Sequence, residues 1–138
     1  MTAAAAIATI DDLFVRGGIV APDALARARL ASEESGEPID AVVTRLGLVS
    51  ERAIATACAE ALGAPLLGAA DLPAAPVAPG AIASRFMQAL RLVPVAEEAD
   101  GVAIAFANPL DGFAVAAAAF ALDRPVKIRV ATASDIES

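Results

Sequence analysis

One segment of this chain occurs twice without a gap: residues 9–28 (TIDDLFVRGGIVAPDALARA) align on residues 38–57 (PIDAVVTRLGLVSERAIATA), an offset of 29. Ile10/Ile39, Asp11/Asp40, Arg16/Arg45, Gly18/Gly47 and Val20/Val49 are identical, and Leu13/Val42, Phe14/Val43, Ile19/Leu48 and Leu25/Ile54 stay apolar. Each copy reads as a helix, a glycine stop, a short apolar step and a second helix. A single pair of short helices cannot cover its own apolar stripe, whereas two pairs side by side can. The repeat therefore predicts a helical first half.

In the first copy Ile7, Ile10, Leu13 and Phe14 recur at helical spacing, and Gly17-Gly18 ends the helix. Pro22 opens the next helix, expected to run to about Glu34 with Leu25, Ala28 and Leu30 facing inward. In the second copy Ile39, Val42, Val43 and Leu46 form the stripe. After Gly47, Ser50 caps a helix carrying Ile54, Ala57, Cys58 and Leu62 that stops at Gly63. Beyond Ala64 the character changes. Pro73, Pro76 and Pro79 predict an irregular traverse ending at Gly80. A short helix is expected over residues 81–90 with Ile82, Phe86 and Leu90 aligned. It leads into a strand over 92–95, a turn over 97–101 and a second strand of Val102, Ile104 and Phe106 alternating with alanine. Asn108 to Asp111 caps an almost wholly apolar helix, which is expected to lie flat on a sheet or inside a helix sandwich. Val126, Ile128 and Val130 alternate with Lys127 and Arg129 as a third strand with one wet face. The fold class is α+β: a helical subdomain, residues 1–63, of tandem helix pairs, then an α+β subdomain, residues 64–138, of about three strands with packed helices. Ser134 to Glu137 has the form of a capping box that opens a helix, and is expected to mark an excised fragment of a longer protein.

With 138 residues the chain holds one domain, or two small halves sharing a core. Ten basic against seventeen acidic residues leave a net charge of −7, which argues against nucleic-acid or anionic-membrane partners. One cysteine and no histidine exclude a disulfide framework and leave no plausible zinc site. Cys58, on the apolar side of its helix, is expected to be a buried inert thiol. The N-terminus lacks the basic start of a signal peptide, and the longest apolar run, residues 112–122, is about half a membrane span. At 58% hydrophobic residues the domain is expected to carry unusually apolar surface.

The residues RLGLVSE at 45–51 and ALGAPLL at 61–67, the proline-rich stretch, RLVPVAEEADGVAIAFANPLDGFAV at 91–115 and a last strand resemble the N-terminal domain of type II secretion assembly ATPases. These form the general secretory pathway protein E family, and related pilus ATPases carry the same MshEN-type domain. The resemblance covers roughly residues 9–138. It implies a cytoplasmic domain, peripheral to the inner membrane, that docks the ATPase onto the cytoplasmic part of the inner-membrane protein L of a Gram-negative secretion system. The ATPase core, with its ATP and Mg, is implied to lie outside this chain.

The residues carry no catalytic constellation. No GxxxxGK[ST] phosphate loop is present, and nucleophilic triads lack their histidine. The adjacent pairs Asp11-Asp12, Glu33-Glu34 and Glu97-Glu98 point apart on a helix and read as solvated charge. Some MshEN-type domains bind cyclic di-GMP through two tandem motifs that begin Arg-Leu-Gly and end in Gln. The repeat spacing here matches that arrangement. The ligand-reading positions do not: they hold Thr9-Ile10-Asp11 and Pro38-Ile39-Asp40 at the start, and Ser32 and Ala61 at the end. Arginine supplies fixed donors and glycine admits the ligand to the backbone, so cyclic di-GMP is not an expected ligand. Protein recognition remains. Phe14, Arg16, Ile19, Leu25, Arg27 and Arg29 of the first helix pair are the candidate partner-binding residues, the arginines as charged rim contacts.

Overall fold

The computed structural model describes residues 9–73, 77 and 82–137. The repeat forms four helices: α1 (Ile10–Gly17), α2 (Pro22–Ser35), α3 (Ile39–Arg45) and α4 (Glu51–Leu62). Their ends follow local chemistry. The Thr9 and Ser50 hydroxyls accept from the backbone N–H of Asp12 and Ala53, capping α1 and α4. Proline stands at the start of α2, and Gly18 and Gly63 take the left-handed conformation that stops α1 and α4. Ile10, Leu13, Phe14, Leu25, Ala28, Val42, Val43, Ile54 and Cys58 from both copies form one buried cluster, which is the burial the duplication predicts.

The stripes are narrower than their periodicity suggests. Leu30 is 58% exposed, and Leu46 and Leu62 also reach solvent, because each lies at or beyond the edge of its buried arc. Ile7, Pro76, Pro79 and Gly80 lie outside the described residues. So does the expected helix start at Ala81; α5 runs Ser84–Leu90, and Ile82 enters the core ahead of it.

The second half is a three-stranded sheet in the order β1-β2-β3, with β1 (Leu92–Glu98) antiparallel and β3 (Val126–Val130) parallel to the central β2 (Gly101–Phe106). The parallel crossover is α6 (Gly112–Leu122), and α7 (Ala133–Glu137) follows β3. Every residue of β2 is buried. Val102, Ile104 and Phe106 pack with Ala114 and Ala118 of α6 and with Ile82. On the other face Ala103 and Ala105 pair with Lys127 and Arg129, whose aliphatic stems cover small residues while their charges stay wet.

Two expectations are corrected here. The turn expected over 97–101 is shorter: β1 extends through Glu97 and Glu98, which pair with Val102 and Gly101, leaving a two-residue turn. Their carboxylates are held by Arg124 and Lys127, so two adjacent acids are tolerated in a strand. The Ser134–Glu137 capping box does not form. Thr132 Oγ1 caps α7 by accepting from the Asp135 N–H, while Ser134 donates its N–H and hydroxyl to Glu51. Of the two placements expected for the apolar helix, the structure takes the first: α6 lies on the sheet, covering it with Ala114 and Ala118 and leaving its other side open.

The halves share a core. Val130 of β3 belongs to the helical cluster, Val130 N–H donates to the Pro65 carbonyl and Leu67 N–H to the Val130 carbonyl at 2.9 and 2.8 Å. Residues 65–67 thus run beside the outer edge of β3.

Candidate functional site

Two places in this fold combine charge with position: the junction between the halves and the outer surface of the first helix pair. At the junction Asp40, in the first turn of α3, is 5% exposed and lies against Arg91. Arg91 Nη1 is 2.8 Å from Oδ2 and Nη2 donates to Oδ1 at 2.9 Å, a two-pronged fork between residues 51 positions apart. Arg91 ends α5 in the left-handed conformation at φ 52°, unusual for a residue with a side chain. Glycine suits that conformation better; arginine is needed here for the reach of its side chain.

Beside the pair lies a cavity of about 150 Å³ whose polar lining includes Asp40, Thr44, Glu51, Arg91, Thr132 and Glu137. These groups largely satisfy one another. Thr44 donates to the Asp40 and Ala41 carbonyls, and Glu51 accepts twice from Ser134. Among the described residues no buried side-chain nitrogen or oxygen lacks a partner.

Asp11 and Asp40 stand at the positions where the nucleotide-binding motif has glycine, and both are ion-paired within the chain. Asp11 accepts from Arg29 Nε at 3.1 Å on the surface, and Asp40 holds Arg91 in the interior. Each of these anions is committed to its own arginine. Arg91 was missed by sequence reasoning. Its signal was a charged residue between Leu90 and Leu92 at a helix-to-strand junction, but nothing local points to a partner in α3.

On the first helix pair the six candidates separate. Phe14 and Leu25 are fully buried in the helical core, and Ile19 is partly buried against it, so the first two support the surface from below and do not form it. Arg16, Arg27 and Arg29 are exposed. Arg29 is paired with Asp11, while Arg16 and Arg27 have no ion-pair partner among the described residues. Val15, which the sequence did not single out, and Leu30, which it placed facing inward, are the exposed large hydrophobics of this pair. A groove of about 240 Å³ runs between the helices, lined by Val15, Pro22 and Arg29 with the buried Val20 and Leu25 at its floor.

Cys58 is buried and free, and desolvation, with a smaller contribution from the Asp40 charge, pushes its thiol up to about 12. It stays protonated and unreactive at neutral pH. At the β1–β2 turn Lys127 bonds both Asp100 and Glu98. The hydrogen bond and charge of Lys127 lower the Asp100 pKa, and those of the two carboxylates raise that of Lys127.

Comparison with known proteins extends these observations. The MshEN domain family model matches residues 62–138. Type II secretion system protein E of Xanthomonas campestris pv. campestris is 38% identical over 117 residues, which cover 82% of this chain and 21% of that protein's length. The N-terminal domain of XpsE, in a solved structure, superposes with a TM-score of 0.79 at 32% identity, covering 99% of this chain and 93% of the other. The structure of MshE with cdg is similar at a TM-score of 0.67 and 25% identity, covering 93% of both chains.

Proposed function

The chain belongs to the MshEN domain family, with the fold of a type II secretion protein E N-terminal domain, and on that premise we propose that it is a non-catalytic adaptor. In this reading it docks the secretion ATPase onto the cytoplasmic domain of the inner-membrane protein L. Hydrolysis of ATP, with its Mg, belongs to the ATPase core of the longer protein. The domain works in the cytoplasm and reaches the membrane through its partner; among the described residues no helix is long and apolar enough to cross one.

The observation that carries the docking reading is the surface of α1 and α2. It combines exposed Val15 and Leu30, the intervening groove, and two arginines without an ion-pair partner among the described residues, over a core built from Phe14 and Leu25. Apolar anchors inside a charged rim are what a protein partner recognises. The test is titration of the soluble cytoplasmic part of protein L against the domain and its variants. Arg27→Glu should weaken binding about fivefold, as a rim charge does, with the melting temperature unchanged. Leu30→Ala should weaken it further. Absence of saturable binding to protein L would defeat the adaptor reading. Intact binding in both variants, with loss on charge reversal at Lys127 or Arg129, would move the docking surface to the sheet.

A second reading is a cyclic di-GMP sensor, favoured by the likeness to MshE with cdg. Against it stand the two motif aspartates, each held by an arginine of this chain. Calorimetric titration is expected to show no micromolar binding, and a one-site isotherm would put the sensor reading first.

A further inference from the structure

α6 has the sequence GFAVAAAAFAL, without a charged or hydrogen-bonding side chain. Ala114 and Ala118 are buried on the sheet, with Val115 and Leu122 packed beside them. On the opposite side Phe113 and Phe120 are 71% and 89% exposed, the most exposed large hydrophobics among the described residues. Seven residues apart, they lie two turns from each other on one face, with exposed Ala116 between them and Ala117 at the flank.

We propose that this face joins two copies of the chain, with the α6 helices antiparallel about a twofold axis passing between Ala116 and Ala117. The face is self-complementary. Residues at equal distances from that axis match, Phe113 with Phe120 and Ala116 with Ala117, so a second copy sets ring against ring at both ends and alanine against alanine in the middle. A different protein would require no such symmetry. Alanine at the crossing lets the helix axes approach to about 8 Å, which brings the paired rings within reach of offset or edge-to-face contact.

Charge points the same way. At −7, two copies repel over most of their surface, while the body of α6 carries no charge. The area sets the strength. Phenyl rings of about 200 Å² each, exposed as these are, supply roughly 300 Å² per copy. With the alanines and the rim the contact totals about 1,000 Å², the lower end for specific association. The dimer is therefore transient, with a dissociation constant on the order of 100 µM. Added salt strengthens it by screening the net charge.

The experiment is sedimentation equilibrium of the chain from about 10 µM to about 1 mM. The apparent mass should rise from 13.8 kDa towards twice that value. Phe120→Glu should weaken association at least tenfold with an unchanged circular dichroism spectrum. Ala116→Cys, beside the axis, should form a disulfide-linked dimer on mild oxidation, with Cys58 buried and silent. Arg85→Cys, exposed on α5, should not. A wild-type chain that stays monomeric at the highest concentration overturns the proposal, as does undiminished association of Phe120→Glu. It is also overturned if the wild type is monomeric and Phe120→Glu loses binding to protein L, which would assign the face to that partner.

Discussion

Replacing Arg91 by methionine keeps an unbranched stem and strips Asp40 of its counter-charge. In the wild type the carboxylate, with a side chain 6% exposed, is forked by two guanidinium nitrogens at 2.8 and 2.9 Å. Removing one member of such a buried pair costs about 3–5 kcal/mol, because the survivor stays desolvated and unpaired. Arg91 is itself somewhat more exposed than its partner, so the lower end of that range, about 3 kcal/mol, is expected. A domain of this size has total stability on the order of 10 kcal/mol, so the variant folds but is clearly weakened. Its melting temperature should fall by roughly 10 °C, at about 3–4 °C per kcal/mol. Asp40→Asn should lose roughly 2 kcal/mol, since the amide oxygen still accepts from Arg91. The double variant Asp40→Val/Arg91→Met should be less unstable than the sum of Asp40→Val and Arg91→Met by at least about 2 kcal/mol, the signature of a direct pair. Urea unfolding followed by circular dichroism at equal slopes measures all four variants. Single variants within about 0.5 kcal/mol of wild type, or strictly additive ones, would refute the claim that this pair fastens the helical half to the sheet.

Three further outcomes are expected. The Cys58 thiol, raised to about 12 in the fold, contributes stability that is complete below its unfolded value near 9 and lost as pH rises through about 12; Cys58→Ala should flatten that alkaline slope, and the native wild type should resist thiol reagents at pH 8. Gly101→Ala should cost at least about 2 kcal/mol in chemical denaturation, because an added Cβ would lie 2.7 Å from the Pro125 carbonyl oxygen at φ +157°. Asp111→Ala removes the acceptor for the Phe113 and Ala114 N–H groups at the start of α6, and should lower the urea midpoint by the equivalent of about 1 kcal/mol.

The sequence by itself determined the local units and their order. Duplication of the helix pair, glycine stops at Gly18 and Gly63, the Ser50 and Asp111 caps and the alternation in residues 102–106 are short-range signals, and each acts within a few residues of where it is written. What it left open were decisions among neighbours distant in sequence. Whether Leu30 is core or surface depends on how wide an arc the other helices cover. Ser134 or Thr132 as the cap of α7 depends on Glu51 competing for the serine. The two sides of α6 read alike in sequence, and only the sheet beneath Ala114 and Ala118 makes one of them inside. Most clearly, nothing near Asp40 in the sequence assigns it a partner or an interior position. Packing of α3 against the end of α5 turned it into half of a buried pair, because a carboxylate taken out of water requires a cation, and tertiary structure brought Arg91 from 51 residues away to supply it.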